Sequence, residues 1–375
     1  MSILLVDDNL INLFTLEKLL KSSGYEDCIP LNSSKDLLTY MRTPAHAKNV
    51  DLILLDIMMP EMDGLEACRQ IKAMNHAKNV QIIFVTALED KKKLVEALDI
   101  GGSDYISKPL NKTELLARIR VALRLKKELD WHTEHDKKIQ IELNLASKVQ
   151  QNLLSTPFEN EQLKIDVSYC PSSNLSGDLY YWYRLDENRY AIILLDMMGH
   201  GISSSLICMY ISSVLRETIN NIVEPVAVMT ELNRYMSILH SETDNGIPYY
   251  FTGIYLVIDT KEKTIEYINA GHPAGYLTLD EKTVQPLSSN TMAVGFFDKL
   301  CAIKDKVHYE NDFQIVLFTD GVLEAIHADE YVAEEKIKAH CSHHWICPNT
   351  VIDELLPPDQ QLNQTDDMCV ILIQG

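Results

Sequence analysis

Apolar runs of four residues alternate with helix-period stretches through the first third of the chain. Residues 3–6 (ILLV), 28–31 (CIPL), 52–55 (LILL), 82–85 (IIFV) and 104–107 (DYIS) read as strands, with helical spacing between them, as in 13–20 and 94–100. Five such units predict an α/β doubly wound parallel sheet over residues 1–125. From Asn111 onward the helical pattern does not stop, and no glycine or proline interrupts it before Pro157. This marks residues 126–157 as a helical connector. Beyond it the period shifts to two, in runs at 163–170, 179–185, 190–196, 252–259, 265–270, 314–320 and 368–373. Helical stretches at 203–220 and 225–240 break the series. That order predicts an α+β domain over 158–375, a mostly antiparallel β-sandwich flanked by helices.

Composition narrows the class. A chain of 375 residues with 46% apolar content can build two cores. A formal net charge of −20 argues against a nucleic-acid partner, which requires a basic face. No apolar run approaches the ~18 residues of a membrane span, and the eight cysteines show no CxxC spacing. The expectation is a soluble, cytoplasmic, two-domain protein.

In a parallel sheet, chemistry gathers beyond the carboxyl ends of the strands. Asp7 and Asp8 follow the first run, Asp56 the third, Thr86 the fourth and Lys108 the fifth. Three carboxylates brought together repel one another, and a hard cation relieves them. A hydroxyl and an ammonium beside them suit phosphate oxygens. Lys108 precedes Pro109, where a rigid or cis peptide fixes the side chain.

The motifs DD, DIMMPEMDG (56–64), VTA (85–87) and DYISKP (104–109) resemble the receiver domain of two-component response regulators. The resemblance implies that Asp56 accepts a phosphoryl group from a partner histidine kinase. It further implies Mg²⁺ held by Asp8, by Asp7 partly through water, by Asp56 and by the Met58 carbonyl, with Thr86 and Tyr105 as a switch pair.

In the last two thirds, four aspartates stand beside strands. Asp178 opens one in SGDLYYW, Asp196 ends YAIILLD before MMGHG, Asp320 ends VLFTDG, and Asp366 precedes MCVILI. An acid directly after a buried apolar run is costly unless compensated. All-carboxylate sites favour Mg²⁺ or Mn²⁺ over zinc, and two such ions suit phosphate-ester hydrolysis. Together with ASKVQQNLL and INAGHPAG (268–275), these motifs resemble the PP2C superfamily of metal-dependent serine/threonine phosphatases, in its bacterial sporulation and stress-response branch. The resemblance implies that Asp196 bridges two metals, with the Met197 carbonyl on one and Asp178, Asp320 and Asp366 completing the set; Asp367 is the weaker candidate of its pair. One departure is Tyr181, where many relatives carry an acid. His200 reads either as a proton donor to the leaving oxygen or as a turn residue between two glycines.

Other signals carry less. The HCSHHWIC cluster (340–347) lacks standard zinc spacing, no GGDEF signature accompanies SGD, and no basic recognition helix follows Leu125. Met58, Met59, Met197 and Met198 read as packing or backbone-ligand positions. In the connector, Ile139, Leu143, Ala146, Val149 or Gln150, and Leu153 approach heptad spacing, which fits either a helix paired with a second chain or a solvated spacer. The two ILLD runs, at 53–56 and 193–196, are not an internal repeat, since they stand in differently patterned domains. The expected function is a phosphorylation-controlled phosphatase acting on a phosphorylated STAS-type anti-anti-sigma factor. The rival is a catalytically inactive binding module.

Overall fold

The computed structural model describes residues 2–87, 91–199, 201–241, 249–280, 283–341 and 364–375. The chain divides into two compact units, Met1–Gln140 and Ile141–Gly375.

In the first unit, β1 (Ser2–Val6), β2 (Cys28–Leu31), β3 (Val50–Asp56), β4 (Gln81–Thr86) and β5 (Asp104–Ser107) form one parallel sheet in the order β2-β1-β3-β4-β5. Helices α1 (Leu10–Lys21), α2 (Ser34–Met41), α3 (Pro44–Ala47), α4 (Gly64–Lys72) and α5 (Lys91–Asp99) connect the strands. The central strands are apolar over their middle residues because both faces are covered: Leu4, Ile53, Leu55 and Phe84 enter one core, and Ile3, Leu5, Leu54 and Val85 the other. Asn9, Ser33 and Asp63 cap α1, α2 and α4 by accepting from backbone N–H groups of the first turn. Helix α6 runs for 40 residues, Lys112–Gln151, and crosses from one unit into the other. It stops six residues before Pro157, where the chain turns into β6 (Phe158–Glu159).

The second unit stacks two antiparallel sheets. One has the order β14 (Asp305–His308), β11 (Thr264–Ala270), β10 (Phe251–Asp259), β9 (Arg189–Met197), β8 (Asp178–Arg184). The other runs β13 (Thr283–Leu287), β12 (Gly275–Leu279), β15 (Phe313–Phe318), β16 (Met368–Gln374), β7 (Lys164–Cys170), β6. Ile192, Leu194, Ile254 and Leu256 meet Ile315, Leu317, Ile371 and Ile373 between them. On the outer face of the first sheet, Ile193, Leu195 and Tyr255 pack with residues of α7 (Ile202–Asn221) and α8 (Pro225–Ser241). On the second, Val316, Phe318 and Val370 pack with α9 (Asp320–Ile326) and α10 (Glu330–Cys341). Asp320 therefore opens a helix instead of closing a strand.

The connector differs in one respect from its heptad reading. Leu143 and Ala146 are half-buried and Gln150 is buried, whereas Ile141, Leu145 and Val149 are 68%, 63% and 46% exposed. The outward apolar row shares Val149 with the one that the spacing suggests, whose Ile139 is also exposed, and otherwise lies beside it. Among the described residues, no helix is long and apolar enough to cross a membrane.

Candidate functional site

The parallel order of the first sheet delivers Asp7, Asp8, Asp56, Thr86 and Lys108 to one edge. Asp7, Asp8 and Asp56 place a carboxylate oxygen each within 4.8 Å of one another. Lys108 Nζ donates to Asp7 Oδ2 at 2.8 Å and to Asp56 Oδ2 at 2.6 Å, and the Lys108–Pro109 bond is cis. Burial raises the Asp56 carboxyl pKa, and the Lys108 bonds only partly offset it. Burial works against the Lys108 ammonium too, but its bonds to Asp56 and Asp7 prevail and raise it. The Met58 N–H donates to Asp56 Oδ1 at 3.2 Å. Thr86 is fully buried, and Tyr105 is half-buried beside Phe84, its register partner. Asn12 was not singled out by the sequence; its side-chain amide lies 3.0 and 3.1 Å from the two Asp7 oxygens. Its only signal is a place one turn into the helix that follows Asp7. Gly64 has no room for a side chain: a Cβ would lie 2.1 Å from the Asp56 carbonyl oxygen.

In the second unit the register of β8 and β9 sets Asp178 directly opposite Asp196. Opposed carboxylates on one sheet face, with Cβ atoms about 5 Å apart, repel by on the order of 3 kcal/mol at an effective dielectric of about 20. Asp178 is buried, and its Oδ2 accepts from the Thr319 hydroxyl at 2.9 Å. Burial first, then the Asp196 charge, lifts its pKa well above the carboxylate range. Asp196 is pushed up to about 8 by burial and then by Asp320 and Asp366. Asp320 is raised by the same two kinds of cause, burial first and then the charge of Asp366. Asp367 is committed elsewhere: it accepts from Ser172 N–H at 2.7 Å, Ser172 Oγ at 2.9 Å and Gly177 N–H at 2.8 Å. That leaves Asp366 as the carboxylate of its pair whose charge bears on both Asp196 and Asp320. These acids are neighbours, but among the described residues only the first unit brings three carboxylate oxygens within 4.8 Å.

The loops around the acids are built to stay close. Met197 N–H donates to the Gly177 carbonyl at 3.2 Å, and a Cβ on Gly177 would sit 3.2 Å from the Met197 and Gly199 carbonyl oxygens. Gly199 and Gly201 hold φ of +77° and +92°, the left-handed region that the MMGHG turn requires. A Cβ on Gly321 would fall 2.1 Å from the Asp367 carbonyl oxygen. Two further contacts escaped sequence reasoning. Thr319 joins Asp178 to the β16 backbone by also accepting from Cys369 N–H at 3.0 Å. Gln150, at the end of α6, bonds both backbone groups of Ser176 in the SGD loop. His200 and residues 342–347 of the histidine–cysteine cluster lie outside the described residues.

Both donor sets fit hard divalent cations. They are all oxygen, crowded with negative charge, and in the second unit a carbonyl-lined cradle adjoins Gly177 that a Cβ would fill.

A doubly wound parallel domain with an acidic edge and a helix-flanked β-sandwich with opposed carboxylates define a receiver domain joined to a PP2C-like domain. Residues 3–120 match the response regulator receiver domain, and residues 186–374 match stage II sporulation protein E (SpoIIE). The second match covers half of the chain, which belongs to the SpoIIE family. It is 37% identical over 243 residues to phosphoserine phosphatase RsbP of Bacillus subtilis, covering 62% of this chain and 57% of that protein. It is 34% identical over 128 residues to response regulator PleD of Caulobacter vibrioides, covering 34% of this chain and 27% of that one. The chain thus spans little more than half of the first relative and about a quarter of the second. The SiaA-PP2C domain of Pseudomonas aeruginosa superposes with a TM-score of 0.52 at 20% identity, over 64% of this chain and 98% of that one, and shares the fold.

Proposed function

We propose that the chain is a phosphorylation-controlled, metal-dependent protein serine/threonine phosphatase. The opposed Asp178 and Asp196, with Asp320 and Asp366 beside them, carry the proposal, because such a set in its ionised form repels itself unless cations lie between its members. The likeness to a phosphoserine phosphatase supports it. Asp178, Asp196, Asp320, Asp366 and the Met197 carbonyl would hold two Mn²⁺ or Mg²⁺ ions. Bound there, the ions polarise the phosphate ester and activate water. The chain's own contribution is placement: Thr319 orients Asp178, and Asp367 ties the loops at Ser172 and Gly177.

In the receiver, Asp56 would take the phosphoryl group from a histidine kinase, and Asp7, Asp8, Asp56 and the Met58 carbonyl would hold the Mg²⁺ that screens the charge. Lys108 would meet the new phosphate oxygens, and Thr86 and Tyr105 would report the change. The substrate is a phosphorylated STAS-type anti-anti-sigma factor in a cytoplasmic partner-switching system, by family resemblance. The exposed Ile141, Leu145 and Val149 support homodimer formation along α6.

A silent binding module is the competing reading, favoured by the incomplete convergence of the acids and opposed by retention of all four. Mn²⁺-dependent hydrolysis of p-nitrophenyl phosphate decides between them. Turnover that is lost in Asp196→Asn, with Asp56 still phosphorylatable, supports the enzyme; turnover retained in that variant overturns the site.

A further inference from the structure

The loop at residues 294–298 presents two aromatic side chains to solvent beside the carboxylate site. Phe296 and Phe297 are each 48% exposed, and their rings meet edge to face at 5.0 Å. Phe296 also meets the Tyr250 ring edge to face at 5.4 Å. The loop is held firmly. Phe251 and Val294 exchange two backbone hydrogen bonds of 2.9 Å. The buried Asn233 accepts from Gly295 N–H at 2.8 Å and donates to the Phe297 carbonyl at 3.0 Å. Gly295 has φ +91°, and a Cβ there would lie 2.7 Å from the Tyr249 carbonyl oxygen.

Its position ties it to the site. Phe251 opens β10 and pairs with Met197, the residue after Asp196. The Met198 N–H donates to the Tyr250 carbonyl at 3.0 Å, and the Met198 side chain is itself exposed. The aromatic tip is therefore bonded to the turn that carries Asp196 onward. Rigidly held, solvent-facing aromatic rings are what protein recognition uses, whereas small-molecule sites enclose their ligand.

Charge points to what docks. A net charge of −20 offers no long-range attraction to a phosphoserine, which carries about −1.5 to −2. Affinity must then come from uncharged contact close to the reacting group. We propose that Phe296 and Phe297, with Tyr250 and Met198 beside them, are the docking surface for the phosphoserine-bearing protein, and that they take an apolar side chain exposed near its phosphoserine. This rests on the phosphatase reading. A second copy of the chain is the less suitable occupant, because it would cover the Asp196 turn.

The test compares p-nitrophenyl phosphate with a phosphoserine-bearing STAS-domain protein, both with Mn²⁺ and the full chain. Replacing both rings (Phe296→Ser with Phe297→Ser) is expected to raise KM for the phosphoprotein about tenfold or more, the scale of a lost aromatic anchor, with kcat unchanged. Small-ester turnover should stay within about twofold, and the pair Phe296→Leu with Phe297→Leu should restore most of the affinity. An unchanged KM for the phosphoprotein overturns the proposal. So does an equal loss on both substrates, because a docking surface is silent toward the small ester. Wild-type turnover of the small ester without any on the phosphoprotein overturns it for this class of partner. Absence of small-ester turnover in the wild type overturns instead the phosphatase reading.

Discussion

Gln150 and Ser176 hold each other by two hydrogen bonds: the Gln150 amide donates to the Ser176 carbonyl at 2.6 Å and accepts from the Ser176 N–H at 3.1 Å. The Ser176 hydroxyl in turn accepts from the Asp178 N–H at 3.0 Å. A change in the last turn of α6 thus has two side chains, those of Gln150 and Ser176, to cross before it reaches a candidate metal carboxylate. Gln150→Ala leaves two buried backbone groups without partners, at a cost of about 1–3 kcal/mol each. The expected result is a lower melting temperature and roughly a tenfold weaker Mn²⁺ requirement curve for p-nitrophenyl phosphate turnover. A Mn²⁺ titration unchanged from wild type would separate α6 from the carboxylate site.

Asp56 is the residue through which a phosphodonor should act. Asp56→Asn keeps the hydrogen bond from the Met58 N–H within reach but cannot take a phosphoryl group. Basal hydrolysis should stay within about twofold, the range of a remote surface change, while the response to acetyl phosphate disappears. Persistence of that response would place the control elsewhere.

Acidity and cation loading should oppose each other in the second unit. Asp196 has its pKa pushed up to about 8, and Asp178 is also raised, in both cases chiefly by burial. Folding therefore takes up protons between about pH 4, where unfolded aspartates titrate, and about pH 8. The stability this contributes is fully present below pH 4 and is lost as pH rises through the window. Without divalent cations, the melting temperature should fall from pH 5 to pH 8, and Asp196→Asn should flatten the fall. Mn²⁺ should raise it more at pH 8, where the carboxylates are free to bind. Equal stabilisation by Mn²⁺ at both values would contradict the assignment.

The outward row of α6 offers a direct check of association. Leu145→Glu puts a charge in the middle of the exposed Ile141, Leu145, Val149 row. If α6 pairs with a second copy, light scattering should report a dimer for wild type and a monomer for the variant, with secondary structure unchanged. A monomer in both removes the pairing.

Much of this was legible because the decisive residues lie where strands end. The runs at 52–55 and 82–85 are apolar at every position, the mark of a strand covered on both faces, and a parallel sheet then forces Asp7, Asp56, Thr86 and Lys108 to one edge. The acids of the second unit could be read for the same reason, as charges abutting buried runs. What stayed hidden depends on long-range partners. Thr319 is ordinary until β16 brings Asp367 and Cys369 beside it, and Gln150 looks like a helix-surface residue until Ser176 meets it. The short strands β13 and β14, TVQPL and DKVH, alternate too weakly to declare themselves, and pairing with β12 and β11 defines them.

Gly64 opens α4 and Gly321 stands second in α9, and each would drive a Cβ to 2.1 Å from a backbone carbonyl oxygen, of Asp56 in one case and Asp367 in the other. Two unrelated folds have thus arrived at the same joint, in which the smallest residue lets a helix lean on the loop that bears the acid. These two positions serve as a diagnostic in any related chain. A residue other than glycine there signals an acidic loop that has moved, even where every aspartate is still in place.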